Sequence, residues 1–208
     1  MGTVYSDISV SADGFATGLN QREEAPFGDI DDTWLHAWMF EDAEENRAEV
    51  AAIVDSGATI MGRNMFGPVR GEWDRDWRGW WGDEPPYHGP VFVLTHHPHE
   101  PIEMQGGTTF HFVTDGIESA LRRARAAAGE RDISIAGGAR TVNQFLAAGL
   151  LDELRLHVTP CILGAGERIF DGVPAQRLER VSVRVASRVT HMTYRPVRPA
   201  PAASGETG

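Results

Sequence analysis

Lysine is absent from this 208-residue chain: all 19 of its basic residues are arginines. That excludes a lysine Schiff base, a P-loop lysine and a Ser-Lys dyad. Any anion site must therefore be made of Arg, His or backbone N–H groups. Cysteine is nearly absent too. Cys161 stands alone, so no disulfide framework can form within the chain. It lies in the apolar run from Val158 to Leu163, where a small buried hydrophobe is expected. No apolar run approaches the length of a transmembrane helix, and Met1-Gly2-Thr3-Val4-Tyr5 lacks the character of a secretion signal. The chain reads as soluble and cytoplasmic, with no membrane partner. Positive charge is scarce against 30 acidic residues, and a net charge of −11 argues against nucleic acid as a partner.

What is present suits an enzyme-sized domain. Hydrophobic residues make up 41% of the chain, enough for a core, and its length fits one domain, expected over residues 1–196. Residues 197–208 have the composition of a disordered tail. Strand-like runs occur at 3–10, 59–61, 91–95, 110–114, 133–136 and 154–163, with a C-terminal hairpin near 181–189 and 191–196. Helical patterns lie between them. Asp32 can cap a helix whose stripe is Trp34, Leu35, Trp38 and Met39. Another helix is expected over 43–56, and Asp115 with Glu118 forms a candidate capping box for one running to Ala128. Alternating strands and helices predict an α/β fold: a mostly parallel central sheet with flanking helices and an antiparallel C-terminal edge.

Two junctions carry the functional signal. In Ile133-Ser134-Ile135-Ala136-Gly137-Gly138-Ala139-Arg140-Thr141, a β-branched strand runs through paired glycines into a helix. Thr59-Ile60-Met61-Gly62-Arg63-Asn64-Met65-Phe66 repeats the idea. A strand, a glycine turn and a helix N-terminus offer amide donors and a positive dipole end to phosphate. Two such junctions, each with an arginine just beyond the turn, predict a dinucleotide held across neighbouring strand ends.

These segments also share an order and spacing with a known family. With Ser11-Ala12-Asp13-Gly14-Phe15, Val93-Leu94-Thr95 and Leu163-Gly164-Ala165-Gly166-Glu167-Arg168-Ile169-Phe170, the chain from Val4 to Tyr194 resembles the dihydrofolate-reductase-like superfamily. Within it, the resemblance is to the C-terminal reductase domain of bacterial riboflavin-biosynthesis deaminase/reductases and its stand-alone relatives. That resemblance implies an NADPH-dependent reductase and a homodimer. It implies that Gly62, Arg63 and Met65 lie at the turn gripping phosphates, and that Thr95 and His96 approach the 2′-phosphate. Gly137 and Gly138 match a glycine pair with a cis linking peptide, followed by Ala139, Arg140 and Thr141 at the pyrophosphate. Ser9 and Ala16 match positions edging the nicotinamide, and the Gly164/Gly166 loop borders the active site.

The substrate side departs from the pattern. Asp31 and Asp32 come too early to match the pteridine-binding carboxylate and are read as helix caps, so folate is not expected. No Cys-x-x-Cys marks a zinc deaminase half. What remains is hydride transfer to a small heterocycle, pyrimidine- or pterin-like, or to a carbonyl compound. Asp13, Tyr87 or water could supply the proton, with Asp13 the candidate catalytic group, although Asp-Gly after a strand is first a turn signal. Trp73, Trp77, Trp80 and Trp81 crowd one long loop, either a substrate wall led by Trp80 and Trp81, or a loop folded on its own aromatics or buried in a dimer interface. His96, His97 and His99 lack ligand spacing, so no metal is expected. A non-catalytic nucleotide-binding or dimeric scaffold, or one binding a flavin-like ligand, is the alternative.

Overall fold

The computed structural model describes residues 2–197. In chain order its elements are β1 (Val4–Ser11), β2 (Phe15–Thr17), α1 (Thr33–Phe40), α2 (Arg47–Val54), β3 (Ala58–Gly62), α3 (Arg63–Phe66), β4 (Pro90–Leu94), β5 (Ile102–Glu103), β6 (Thr109–Val113), α4 (Ile117–Ala128), β7 (Ile133–Gly137), α5 (Ala139–Ala147), β8 (Glu153–Thr159), β9 (Glu167–Arg168), β10 (Leu178–Val185) and β11 (Thr190–Pro196). Nine strands form one sheet in the order β10-β11-β8-β1-β7-β3-β4-β6-β5. Its centre is parallel from β8 through β6. Both edges are antiparallel: β11 and β10 at one end, β5 at the other. The architecture is the expected α/β one, and the β5 edge and a small β2–β9 pair are additions to it. Residues 198–208, where most of the expected tail falls, lie outside the described residues. Among the described residues no helix is long and apolar enough to cross a membrane.

Every residue of β1 is buried, yet the strand alternates. Successive side chains of a strand point to opposite faces. Val4, Ile8 and Val10 join Ile60, Ile135, Leu154 and the buried sides of α4 and α5 in the main core. Tyr5, Asp7, Ser9 and Ser11 occupy the other face. That second face has two separate covers. Trp38 of α1 lies against the rings of β8 and β11, and the tryptophan-rich loop packs over Met61, Val91, Val93 and Phe110.

Several local expectations need correction. Asp31, not Asp32, receives the Thr33 amide at 3.0 Å, and Asp32 makes no side-chain cap bond. Trp34 is 53% exposed, outside the buried stripe of Leu35 and Trp38. The helix expected over 43–56 is the shorter α2. Asp115 does not close a capping box with Glu118. It accepts from Ser119 at 2.7 Å and from Arg123, while Gly116 takes the N-cap position of α4. The strand expected to reach residue 163 stops at Thr159 because Pro160 has no N–H for the ladder. Cys161 consequently falls in a turn and is partly exposed, and Ile162 is 73% exposed.

Candidate functional site

A cleft of about 990 Å³ opens between the two covers of the second face. It follows the C-terminal ends of β3, β4, β6 and β7, where ligands bind in open parallel sheets. Met39, Phe40, Ile53 and Val54 from α1 and α2 line one part, and Trp80, Trp81 and Tyr87 line another.

Its cationic part is built from the β3–α3 junction. Arg63, at the start of α3, is 8% exposed. Its guanidinium lies 3.8 Å from the centre of the Trp73 ring and donates from Nη1 to Thr95 Oγ1 at 3.2 Å. Nε and Nη2 are buried with no partner among the described residues. Burial, and then the nearby Arg70, pull its pKa below the usual arginine value. A buried guanidinium with free forked donors is suited to an anionic oxygen pair. Thr95 is itself held by the His97 amide at 3.1 Å, and Trp73 donates to the His97 carbonyl at 3.2 Å.

The β7–α5 junction faces it. The Gly137–Gly138 peptide is cis, and Gly137 has φ +118°, a conformation that favours glycine. Gly138 caps α5, and a Cβ there would meet nothing within 4 Å. The Thr141 amide donates to the Gly138 carbonyl at 2.9 Å, which leaves the Ala139 and Arg140 amides at the anion-facing N-terminus of α5. Gly62 is required by contact rather than by backbone angle: a Cβ would come 2.5 Å from Thr141 Oγ1. Arg140 donates to Glu167 at 2.6 Å, with its side chain 76% exposed.

Of the residues picked out in the sequence, Ser9, Ala16, Gly62, Arg63, Met65, Thr95, His96, Gly138, Ala139, Arg140, Thr141, Trp80 and Trp81 line the cleft. Gly137 sits behind it, packed near the Met65 sulfur. Asp13, Gly164 and Gly166 are not among the lining residues. Asp13 is a clamp: it accepts from Ser11 Oγ at 2.6 Å, Leu163 N at 3.1 Å and Gly164 N at 2.8 Å. The Ser11 hydroxyl and then these amides hold its carboxyl at about 2, unsuited to giving up a proton near neutrality. Gly166, with φ +141°, is crowded by the Thr17 carbonyl, which a Cβ would meet at 1.9 Å.

The tryptophan loop is largely folded on its own aromatics. Trp77 donates to the Phe66 carbonyl at 2.9 Å, and Trp81 stacks on Phe110 with centroids 6.0 Å apart. Trp80 packs edge-on to Trp77 at 4.7 Å and still reaches the cleft. Tyr87 is buried against Trp81, and burial raises its hydroxyl beyond the ordinary tyrosine range. Among the described residues no group of three or more His, Cys, Asp or Glu could hold a metal ion.

Sequence reasoning picked out Ser9 but missed the rest of the cleft's polar floor, which Asp7, Ser134 and His157 line with it. Sheet register pairs Ser9 with His157 and His157 with His191. Asp7 Oδ1 lies 3.2 Å from His157 Nε2, whose Nδ1 lies 2.7 Å from Nδ1 of His191. The available signal was the polar alternation Asp7, Ser9 and Ser11 in a strand whose intervening Ile8 and Val10 are apolar. Arg70, also on the cleft, was missed as well.

Residues 2–192 match the family described as the RibD C-terminal domain. The Bacillus subtilis (strain 168) protein YyaP, uncharacterized, is 24% identical over 203 residues, covering 92% of this chain and 93% of its own. RibD of Acinetobacter baumannii superposes with a TM-score of 0.61 at 19% identity, over 95% of this chain and 59% of that one. A dihydrofolate reductase of Enterococcus faecalis, complexed with NADP(H), superposes with a TM-score of 0.58 at 16% identity, over 94% of this chain and 96% of its own. The fold is dihydrofolate-reductase-like.

Proposed function

The chain belongs to the RibD C-terminal domain family, whose relatives include reductases, and from that premise we propose that it is an NADPH-dependent reductase. Its substrate is a small heterocycle, pyrimidine- or pterin-like, or a carbonyl compound. One observation carries the proposal: Arg63, buried with two unpartnered donors, on the same cleft as the glycine-capped N-terminus of α5. In this reading Arg63 and Thr95 take the 2′-phosphate, with His96 beside them. Gly62, Met65 and the Gly137–Gly138 turn give the backbone close approach. The Ala139 and Arg140 amides face the pyrophosphate, with Thr141 beside them on the first turn of α5, while Ser9 and Ala16 border the nicotinamide. When bound, the reduced nicotinamide supplies the hydride.

The chain's own share is orientation and water exclusion. The aliphatic residues of α1 and α2 and the rings of Trp80 and Trp81 make an apolar slot for a planar substrate. Exposed Val181, Val183 and Val185 on the edge strand β10 offer a surface for a homodimer in the cytoplasm. The test is to incubate the protein with NADPH and a panel of pyrimidines, pterins and carbonyl compounds, following the absorbance of the reduced cofactor. Loss of that absorbance with one class supports the reading and names the substrate. NADPH binding without turnover of any class favours a non-catalytic scaffold.

A further inference from the structure

Any reduction of a C=N or C=O bond needs a proton as well as a hydride, and the two donors suggested by sequence do not serve. Asp13 is a clamp outside the cleft lining, and Tyr87, though on the cleft, has its proton held far above the ordinary tyrosine range by burial. The polar floor of the cleft offers another source, and its hydrogen bonds can be counted.

Asn46 sets the direction of the chain. Its Nδ2 donates to two carbonyls, those of Trp38 at 2.9 Å and Asp42 at 3.0 Å. Its Oδ1 is therefore the atom that meets His191 Nε2 at 2.9 Å and Arg184 Nη2 at 2.8 Å. An amide oxygen cannot donate, so His191 Nε2 carries a hydrogen. The Nδ1···Nδ1 contact of His191 and His157 needs one hydrogen between two ring nitrogens. The contact of His157 Nε2 with Asp7 Oδ1 needs another. Three contacts require three hydrogens. Two neutral imidazoles and a carboxylate bring only two.

The third proton has a defined place. Arg184 and His191 Nε2 share the Asn46 oxygen, so a second positive charge is disfavoured there; with burial and the neighbouring His157 also lowering its pKa, His191 is the neutral ring. With Nε2–H pointing to Asn46, its Nδ1 accepts from His157. The remaining proton then lies between His157 Nε2 and Asp7 Oδ1, the end of the chain on the cleft. Charged groups face it from each neighbouring element. Arg155 of β8 donates to Asp7 Oδ2 at 3.3 Å and is tied to Glu153 at 2.8 Å. The Tyr5 ring of β1 lies 4.1 Å from the Arg155 guanidinium. At the far end Glu49 of α2 pairs with Arg184 of β10 at 2.6 Å. Trp38 covers both imidazoles, with ring centroids 4.5 and 5.1 Å away. Asp7, His157 and His191 are 8%, 2% and 6% exposed.

We propose that the Asp7–His157–His191 chain is a one-proton reservoir, and that Asp7 passes this proton to the substrate at the cleft floor. The delivery step rests on the reductase reading. As substrate carbon takes hydride with its electron pair, the π bond to nitrogen or oxygen breaks and leaves a lone pair there. The reservoir proton forms the new N–H or O–H bond. The Asp7 carboxylate remains, held by Arg155, and a solvent proton refills the chain. His157 and His191 act through Asp7 and are positioning residues.

Asp7→Asn is the informative variant. An amide at this position donates from Nδ2 to His157 Nε2, so all three contacts are satisfied with both imidazoles neutral and no spare proton. The direct measurement is NMR at pH 7 of free protein labelled with ¹⁵N in histidine and ¹³C in aspartate. Wild type is expected to show either a protonated Asp7 carboxyl or a doubly protonated His157, and Asp7→Asn neither. A wild-type spectrum with Asp7 ionised and both imidazoles neutral overturns the reservoir, and it needs no variant. In turnover, Asp7→Asn should lower the rate at pH 7 by about 100-fold or more, the ordinary contribution of a general acid, with NADPH affinity retained. An unchanged rate and pH profile overturns the delivery step. Failure of wild type to bind NADPH would overturn the reductase reading and the delivery with it, while the spectrum still decides the proton count.

Discussion

On β1, Val4, Ile8 and Val10 meet the apolar sides of α4 and α5, whereas Asp7 and Ser9, one residue away in each direction from Ile8, meet a cleft. The same contrast runs across β8, where Leu154 and Leu156 belong to the core and His157 belongs to the polar floor. Both faces are buried, but by different means. Aliphatic packing seals the first. The second is held by directed bonds whose partners come from distant parts of the chain, such as Trp38 Nε1 donating to Ser9 Oγ at 3.0 Å. Burial of a sheet face thus says little about its role until its hydrogen bonds are traced.

The largest expected effect is on the sealed face. Leu154→Ala should destabilise the fold by about 3 kcal/mol, as truncation of a fully buried leucine does, while Ser9→Ala on the opposite face should cost about 1 kcal/mol for one lost hydrogen bond. Urea denaturation compares the two, and equal losses would erase the distinction. Next comes Arg63→Met. Removing a buried cation with unpartnered donors should leave stability unchanged or higher. The same change should weaken NADPH binding by roughly 2 kcal/mol, the scale of hydrogen bonds to a charged group. Opposite signs in denaturation and calorimetry would sharpen the contrast between function and packing; a parallel loss would make Arg63 structural.

Smaller again is Gly62→Ala. Its Cβ would lie 2.5 Å from Thr141 Oγ1, an overpacking expected to cost about 1 kcal/mol. Adding Thr141→Ala should restore most of that stability, which a double-mutant cycle reads directly. The mildest test is pH. The folded pKa of His191, about 4, lies below its ordinary 6.5, so the unfolded chain takes up a proton that the folded one refuses. Its contribution to stability is present above pH 6.5 and is lost as pH falls towards 4. His191→Asn should flatten the urea midpoint over that window, and an unchanged slope would show that His191 does not carry the acid sensitivity.

How much of this was legible in the sequence follows the same division. The glycine junctions after β3 and β7 could be read because turn, helix start and arginine are adjacent in the chain, so local chemistry alone marks them. Arg63 was picked out for that reason and Thr95 through the family resemblance, while the Trp73 ring under Arg63 was not. The Asp7–His157–His191 chain was invisible because its members are separated by 150 and 34 positions and meet only through the register of β1, β8 and β11. Asp13 misled in the opposite way: a carboxylate beside a glycine after a strand fits a site and a turn equally well, and its partners Leu163 and Gly164 come from a loop that no local pattern ties to it. Pro160 did announce the end of β8, and taking it as decisive would have placed Cys161 in the turn.

The proposed nicotinamide site in the cleft is tested most directly by calorimetric titration of the wild-type protein with NADPH and then with NADH. Saturable binding of NADPH with clearly weaker binding of NADH is the predicted result, since Nε and Nη2 of Arg63 would find a partner only in the 2′-phosphate. Equal affinities would contradict that assignment, and absence of heat with either would contradict the cleft as a nicotinamide site.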